Sequence, residues 1–563
     1  MNTKYKKIFI TAILFIAGMP CLFSQEEQLI MNAIKTEVDR NLSGLKIGNL
    51  LPPFYISYVL LDNEQLTMSA SGGSLTNSSN YRTRLGIPFV LVGDFFRNNA
   101  TYLTYADLNS YPGQVCLDND PTGIATSIWT ALDKKYKQAA ENFESKNAFY
   151  KQEKQLDEEE ALPDFDDAPA PNLILPPAKM NMDVSYWENY IKKGSEVFNK
   201  YPEILTANVD LNFRNTMAYY YDTKNGQYAL PLPNYKIWIT LSAQAADGQE
   251  VGNEWYIEHT SDDSIPDLKS FVASCEQYAN EIMKLKNAPK IQESYSGPVL
   301  LEGKAVEWAV QNQFFVNNAL IAKRKPVAGP AVISSYPPNS PVLKGNELET
   351  MMNKEIISKE LNIKSLTGTE TYNGVKLEGY YPLDFEGVAP DKEMLLVEKG
   401  VMRGLLSGKI PTIKAPHSNG HTRYNFSNRA VVAPGNVHVY GEHPVSKDEL
   451  KQQLLDAAKE AGYDYAYIIR RMKPDKIVAI YKVYVADGRE ELVRGAILKD
   501  FNMKSFKQVT GVSKEEFIVN NALFGQIATF ILPQFMLFKE LEVLKDNNVA
   551  LKKPYVVAQP GNK

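Results

Sequence analysis

The first half of the chain combines helical and strand-like patterns of apolar residues. Apolar residues recur every three or four positions in three segments, and they alternate with polar residues in two others. A spacing near 3.6 indicates a helix with one buried face, and a spacing of two indicates a strand. The patterns predict helices at 26–42, 126–150 and 266–286 and strands at 51–62 and 82–95.

Capping and turn residues divide the rest of this half. Ser185 and Glu188 have the spacing of a capping box, which predicts a short helix that ends before Pro202. The pairs Asn225-Gly226 and Asp247-Gly248 are typical of tight β-hairpin turns. We therefore expect hairpins on both sides of residue 235.

From about residue 291 the pattern is mostly that of strands. Residues 366–381, 394–406 and 477–494 alternate, and each segment contains a turn-forming pair that ends in glycine. Ser446 and Glu449 form another capping box, which predicts a helix that stops at Gly462. The predicted fold class is α+β, with a smaller mixed N-terminal part and a larger antiparallel-sheet C-terminal domain.

The stretch from residue 295 to 307 separates the two halves. Gly297 and Pro298 interrupt regular structure, and the apolar residues from Leu301 to Phe315 then recur at helical spacing. The pattern predicts a helix across this stretch. It would carry Glu302 and Glu307, which are either solvated surface residues or part of a site.

Length and composition favour two or three domains. The chain has 563 residues, and one core seldom serves so long a chain. Residues 151–180 are acidic and proline-rich, which is typical of a surface linker or extended arm. We predict a signal peptide at 1–24, an N-terminal region at 25–150, this linker, a middle region at 181–290 and a C-terminal domain at 291–563.

The N-terminus has the pattern of a secretory signal peptide. Three lysines at positions 4, 6 and 7 precede an apolar run at 8–19, and small or polar residues follow. Cleavage near Ser24 would leave a periplasmic or secreted protein. Losing the three lysines lowers the formal net charge from −5 to −8, which argues against a nucleic-acid partner.

Two cysteines remain after the predicted cleavage, Cys116 and Cys275. Export makes a disulfide between them chemically feasible. Cys275, however, lies on the apolar face of the helix predicted at 266–286, which favours a buried free thiol. The sequence leaves both alternatives open.

Polar residues concentrate between 416 and 423, in a segment flanked by apolar strands. His417, Asn419, His421 and Arg423 lie there together with a glycine, as in many site loops. Such residues also commonly satisfy backbone groups, and their spacing is not that of a metal site. We treat these four residues, together with Glu302 and Glu307, as candidate cleft residues.

Five stretches together resemble the TldD/PmbA family, the former "modulator of DNA gyrase" proteins that include metallopeptidases and their partners. They are Pro-Pro-Phe-Tyr-Ile-Ser-Tyr at 52–58, Tyr-Ser-Gly-Pro-Val-Leu-Leu-Glu-Gly at 295–303, Leu-Glu-Gly-Tyr-Tyr-Pro-Leu-Asp-Phe-Glu-Gly-Val at 377–388, Leu-Val-Glu-Lys-Gly-Val-Met-Arg-Gly-Leu-Leu at 396–406 and Ser-Asn-Gly-His-Thr-Arg at 418–423. The resemblance spans nearly all of the chain after the signal peptide. It implies a TldD/PmbA-like fold and dimeric assembly.

Catalytic members of that family bind zinc through HExxxH and a later cysteine. The resemblance puts Glu302 and Glu307 at the histidine positions and Gly303 at the position of the general base. No cysteine occurs after residue 275. Two carboxylates without thiolate or imidazole suit Mg²⁺, Ca²⁺ or Mn²⁺ better than zinc, so we transfer no metal site to this chain.

Three functional hypotheses are compatible with these residues. The first is a peptide-handling pseudo-enzyme or non-catalytic partner, working as a homodimer or as a heterodimer with a family paralogue. The second is an active metallopeptidase with a rebuilt metal site that recruits His417 or His421. The third is an envelope protein that binds peptides or glycans without turnover.

Overall fold

The computed structural model describes residues 25–108, 112–152, 161–424, 430–473 and 476–547. The signal peptide predicted at 1–24 therefore lies outside the described residues. None of the helices within these ranges is both long enough and apolar enough to cross a membrane. The fold is α+β, as predicted, and Cys116 and Cys275 are both free thiols.

The N-terminal half is built on one sheet of long strands. Its helices are α1 (Gln25–Gly44), α2 (Tyr105–Leu108), α3 (Pro121–Gln152), α4 (Val184–Glu196) and α5 (Leu268–Asn287). Its strands are β1 (Pro53–Ser71), β2 (Ser74–Val92), β3 (Tyr102–Leu103), β4 (Gly113–Gln114), β5 (Asn172–Ile174), β6 (Ile204–Asp222), β7 (Gln227–Gln244) and β8 (Glu250–His259). The helices and hairpins predicted for this half are confirmed, except that Asp183 rather than Ser185 caps α4.

The long sheet has the order β4-β2-β1-β6-β7-β5, with β8 added beside β7. The alternation of apolar and polar residues gives the sheet one apolar and one polar face, because neighbouring side chains on a strand point to opposite sides. Val209, Leu211 and Phe213 pack under α4 and α5, while Met217 and Tyr219 pack under α1 and α3. The opposite face carries the intervening polar residues and turns toward the C-terminal half.

The C-terminal half contains two larger sheets. Its helices are α6 (Lys304–Val310), α7 (Pro330–Ser335) and α8 (Lys447–Glu460). Its strands are β9 (Tyr295–Glu302), β10 (Val327–Ala328), β11 (Leu361–Ser365), β12 (Thr371–Tyr372), β13 (Val375–Lys376), β14 (Met394–Glu398), β15 (Val401–Met402), β16 (Thr422–Tyr424), β17 (Ala430–Val432), β18 (Asn436–Gly441), β19 (Tyr465–Lys473), β20 (Lys476–Tyr484), β21 (Glu490–Val493), β22 (Ala496–Leu498), β23 (Val509–Val512), β24 (Glu516–Leu523), β25 (Gln526–Pro533) and β26 (Phe535–Lys545).

The two sheets enclose one core. One has the order β15-β14-β11-β18-β25-β24, and the other has the order β21-β20-β19-β9-β26-β22, with β23 beside β26. Helix α6 packs between them, and α8 covers the outer face of the second sheet. Most pairs are antiparallel as predicted, but β18 with β25 and β9 with β19 are parallel.

Residues 161–180 belong to the segment predicted as a linker, and they form an arm that packs against the body. Strand β5 joins the edge of the long sheet beside β7. Phe165 is buried near Tyr55 and Phe89. Asp164 is fully buried and forms ion pairs with Lys146 and Arg324. The acidic, proline-rich pattern does not predict these buried contacts.

Candidate functional site

The helix predicted to carry both Glu302 and Glu307 does not include Glu302. Strand β9 continues to Glu302, and α6 begins at Lys304. Gly303 separates them with a φ of 55°, a left-handed conformation that glycine adopts without strain. The prediction was wrong because β9 is a central strand with apolar residues on both faces, so its sequence shows no alternation.

Glu302 belongs to a surface ion-pair network on the second C-terminal sheet. Its Oε2 lies 2.6 Å from Nε of Arg470, a residue on β19. The same guanidinium contacts Glu490 at 2.7 Å, and Glu490 also contacts Lys451 on α8. Arginine therefore already neutralises the Glu302 carboxylate.

Glu307 is buried on the other side of the glycine, with 5% of its surface exposed. Its Oε2 lies 2.7 Å from Nζ of Lys304, one turn earlier in α6. Its Oε1 accepts hydrogen bonds from the side-chain amides of Gln311, at 3.3 Å, and Asn521, at 3.2 Å. We call Lys304, Glu307, Gln311 and Asn521 the Glu307 cluster.

Helix α6 continues after Val310 into a π-helical turn. Residues Gln311–Val316 form a π-helical segment, in which Asn317 donates its N–H to the carbonyl of Asn312. Short π segments often occur near functional sites, because the extra residue shifts the side chains around the helix axis. Here the segment brings the amide of Gln311 to Asn521 on β24, with a 2.9 Å hydrogen bond.

The loop at 416–423 is attached to the arm. The side chain of His417 is 81% exposed, and its Nδ1 lies 3.0 Å from the carboxylate of Asp166. Asp166 also accepts the backbone N–H of Ser418, at 2.9 Å. His417 therefore lies at the surface, where it helps to join the loop to the arm.

Asn419 and His421 form an internal hydrogen-bond network. Oδ1 of Asn419 accepts the backbone N–H of Ser407 and lies 2.8 Å from Nδ1 of His421. Nε2 of His421 contacts the hydroxyls of Ser365, at 3.1 Å, and Thr367, at 3.2 Å. Burial lowers the pKa of His421 to about 3. This histidine is therefore neutral near pH 7, with both ring nitrogens occupied.

Arg423 is buried beside the same network but faces a cleft. Its NH1 donates to the carbonyls of Pro434, at 3.2 Å, and Ile527, at 3.1 Å. Its guanidinium lies 4.6 Å from the centre of the Tyr381 ring, which is a cation–π distance. These contacts join β16 to β25.

The six predicted site residues therefore do not form one site. Asn419 and His421 share a hydrogen-bond network with Arg423 beside it, whereas Glu302, Glu307 and His417 have other partners. Glu302 and Glu307 have different cationic partners, and His421 has hydrogen-bond partners from another part of the core. Within the described ranges, no group of three or more His, Cys, Asp or Glu side chains is arranged to hold a metal ion. The residues present do not fit the zinc site of the family's catalytic members, since each donor is engaged elsewhere.

A cleft separates the polar face of the long sheet from the C-terminal half. Its volume is about 720 Å³, a size typical of small-ligand pockets. Leu230, Phe385 and Tyr424 belong to one buried apolar cluster and form part of its lining. One wall carries Asn63, Arg214, Thr216, Leu232 and Asn234, and the other carries Glu378, Tyr381, Arg423 and Ile527.

Polar contacts hold the two walls together at one edge of the cleft. His259, at the end of β8, lies 2.7 Å from the carboxylate of Glu378. Glu378 also accepts the backbone N–H of Thr260. Burial opposes ionisation of Glu378, but the hydrogen bond from His259 and its charge lower the pKa of the carboxyl below its ordinary value. His259 thus links the two halves.

Arg214 was not predicted as a site residue. It lies on β6, opposite Gln65 of β1 and Asn234 of β7. Its side chain is partly buried, and no hydrogen bond or ion pair joins it to another of the described residues. The sequence pattern that could have identified it is the alternation along β6, which puts Arg214 on the polar face of the sheet and its neighbour Phe213 on the apolar face.

The long N-terminal sheet and the paired C-terminal sheets define a TldD/PmbA-like fold. No family model matches the chain, and no curated protein matches it. Several solved structures share the fold, and three of them illustrate the similarity. TldE from Thermococcus kodakarensis superposes with a TM-score of 0.57 at 11% identity, over 92% of this chain and 100% of that one.

The other two are described as candidate modulators of DNA gyrase. The protein from Thermotoga maritima gives a TM-score of 0.54 at 13% identity, over 87% of this chain and 96% of its own. The protein from Bacteroides thetaiotaomicron gives 0.55 at 12% identity, over 93% and 100%. The fold implied by the sequence resemblance is therefore confirmed.

Proposed function

We propose that this chain is an exported protein that handles peptides as a pseudo-enzyme or as a non-catalytic partner subunit. The observation that carries the proposal is the separate neutralisation of Glu302 and Glu307. Arg470 pairs with one carboxylate, and Lys304 pairs with the other. A metal ion would have to displace both cations and rotate both side chains, so these residues do not provide a preformed zinc site.

The cleft supports a role in binding. It combines apolar residues with a few polar groups, which is the usual composition of a ligand pocket. The polar residues on β1, β6 and β7 could hydrogen-bond an extended peptide, and Leu232 and Ile527 could hold its apolar side chains. A protein that binds peptides or glycans without turnover is therefore the second candidate function.

Metal content and peptide hydrolysis test the proposal directly. The purified protein would be analysed by mass spectrometry for bound metal, and unstructured peptides would be incubated with it in the presence and absence of chelator. We expect less than stoichiometric metal and no chelator-sensitive cleavage. Stoichiometric zinc together with chelator-sensitive cleavage would contradict the proposal and favour the rebuilt metallopeptidase site.

A variant distinguishes a rebuilt site from a contaminating peptidase. If cleavage is found, Glu307→Gln should abolish it when the Glu307 cluster is catalytic. Glu302→Gln serves as the matched control, because Glu302 lies in a surface network on the other side of Gly303. Equal loss of metal and activity in Glu307→Gln alone would establish a metal site there.

The partner role requires an assembly. We propose a homodimer or a heterodimer with a family paralogue, as the resemblance implies. Light scattering of the purified protein, alone and after co-expression with such a paralogue, measures the mass of the complex. A monomer under both conditions would contradict the partner role and leave the binding role.

A further inference from the structure

Arg214 differs from other arginines in or near the interior because none of the described carboxylates, carbonyls or aromatic rings contacts its guanidinium. Arg423 and Arg471 also lack a carboxylate partner, but Arg423 donates to two carbonyls and Arg471 lies 5.3 Å from the centre of the Trp255 ring. Arg84 pairs with Asp62 and Glu26, and Arg324 pairs with Asp164. Arg470 and Arg494 likewise contact carboxylates. Within the described residues, Arg214 has no such contact. A partly buried cation without an anion loses hydration and gains little in return, so its position needs an explanation.

The surroundings of Arg214 do not supply that anion. Burial lowers the pKa of Arg214, and the nearby Tyr81, which is not a carboxylate, opposes this shift. The guanidinium lies on the wall of the cleft, where it is accessible to a ligand. Two glutamates lie on the opposite wall: Glu378 already pairs with His259 and accepts the N–H of Thr260, and Glu370 hydrogen-bonds to Tyr380.

We propose that the cleft binds a carboxylate group and that Arg214 is the residue that pairs with it. The planar guanidinium can donate two parallel hydrogen bonds to a carboxylate. Arg423 on the opposite wall adds positive charge, although its NH1 is committed to two carbonyls. No carboxylate among the described residues forms an ion pair with Arg214.

The rest of the cleft indicates what carries the carboxylate. Leu230, Leu232 and Ile527 provide apolar contacts, whereas Asn234 provides a hydrogen-bonding side chain beside Arg214. Asn63 and Thr216 also line the cleft but hydrogen-bond to each other at 2.7 Å. This combination fits a short peptide with an apolar side chain next to a C-terminal carboxylate or an acidic side chain. The identity of the carrier rests on the peptide-handling role proposed above, whereas the carboxylate subsite does not.

Four probes test the subsite by isothermal titration calorimetry with the purified protein. The first is acetyl-Ala-Leu-Ala-Leu-Ala with a free carboxyl terminus, and the second is its C-terminal amide. The third is the amide with glutamate in place of the last alanine. The fourth is hexanoate, a carboxylate that is not a peptide. The first and third probes separate a terminal carboxylate from an acidic side chain.

We expect the first or the third peptide to bind about tenfold more tightly than the neutral amide, as a charge-assisted hydrogen bond allows. Arg214→Gln should remove that preference, so that the charged peptides and the neutral amide bind with similar affinity. Arg214→Lys should retain part of it, because the charge remains without the planar guanidinium. Arg489→Gln is the matched control, since the side chain of Arg489 is 59% exposed in a surface turn.

Other outcomes would overturn one proposal or the other. Equal binding of all three peptides, unaffected by Arg214→Gln, would overturn the carboxylate subsite and leave peptide binding intact. Binding of hexanoate alone, with loss in Arg214→Gln, would support the subsite and contradict the peptide role. Binding of none of the probes would overturn the subsite, and the metal and hydrolysis measurements would still decide the proposed function.

Discussion

Arg423 and Arg214 line the same cleft from opposite walls, but their neighbours differ. Arg423 donates to two backbone carbonyls and lies over the ring of Tyr381. It is connected to a network of polar groups that runs through the 416–423 loop to the arm at 161–167. Arg214 lies on a regular strand and has no hydrogen-bond partner among the described residues.

The comparison shows that the role of a buried polar side chain depends on whether other residues of the fold already hydrogen-bond to it. Polar side chains of the loop, including Asn419 and His421, are engaged by internal partners, so they hold the structure together. The guanidinium of Arg214 is not engaged, so it is available to a ligand. We expect substitutions in the loop and arm to lower stability and substitutions at Arg214 to alter binding.

The largest loss of stability should follow removal of the buried anion of the arm. Asp164 is fully buried beside Lys146 and Arg324, so Asp164→Ala leaves two buried cations without a carboxylate, with only carbonyl and hydroxyl partners. We expect a loss of about 3–5 kcal/mol in the free energy of unfolding, measured by urea denaturation. Asp133→Ala, which removes an exposed pair with Lys137, should cost less than about 0.5 kcal/mol. Equal losses of stability in the two variants would contradict the idea that the buried carboxylate of Asp164 anchors the arm.

Arg423 should be the more costly of the two cleft arginines to replace. Arg423→Leu leaves the carbonyls of Pro434 and Ile527 without their donor and removes the contact with Tyr381. We expect the free energy of unfolding to fall by about 2–4 kcal/mol. A urea midpoint equal to that of the unmodified protein would mean that water replaces the guanidinium without cost.

Acid should destabilise the protein through His421. The unfolded chain binds a proton on this residue near its ordinary pKa of 6.5, whereas the folded protein keeps it neutral down to about pH 3. Between these values the unfolded state binds more protons, so stability falls as the pH is lowered. The expected contribution is about 1.4 kcal/mol per pH unit, or about 2 kcal/mol between pH 6.5 and 5.

The slope with pH, rather than the absolute stability, tests this prediction. His421→Asn removes the titrating ring, so its urea midpoint should depend less steeply on pH between 5 and 6.5 than that of the unmodified protein. The other histidines are present in both proteins and cancel in the difference. The same dependence of the urea midpoint on pH in both proteins would show that His421 has the same pKa in the folded and unfolded states.

Local signals in the sequence predicted local structure well. The helix from Lys447 to Glu460 starts where Ser446 caps it, because capping depends on residues three positions apart. The turn at Asn373-Gly374 is also confirmed, but the strands beside it have only two residues each, unlike the long strand pattern predicted at 366–381. Strand length depends on distant partners, which the local pattern does not contain.

The candidate site shows the same limit. His417 meets Asp166, which lies 251 positions away in the chain, and Glu307 meets Asn521 after 214 positions. No local pattern could show that these partners occupy the polar groups. Arg214 was overlooked for the opposite reason, since an arginine on the polar face of a strand is ordinary until the structure shows that the glutamates of the opposite wall are engaged by other residues.

The smallest effect on stability should come from Arg214. Because its guanidinium makes no hydrogen bond or ion pair with the described residues, Arg214→Gln should change the free energy of unfolding by less than about 0.5 kcal/mol. Urea denaturation at pH 7 measures this change beside that of Arg423→Leu. A loss comparable with that of Arg423→Leu would reveal a structural contact for Arg214 and would weaken its assignment to a ligand. Unchanged stability together with lost carboxylate binding would show that Arg214 on one wall serves binding, whereas Arg423 on the other wall serves stability.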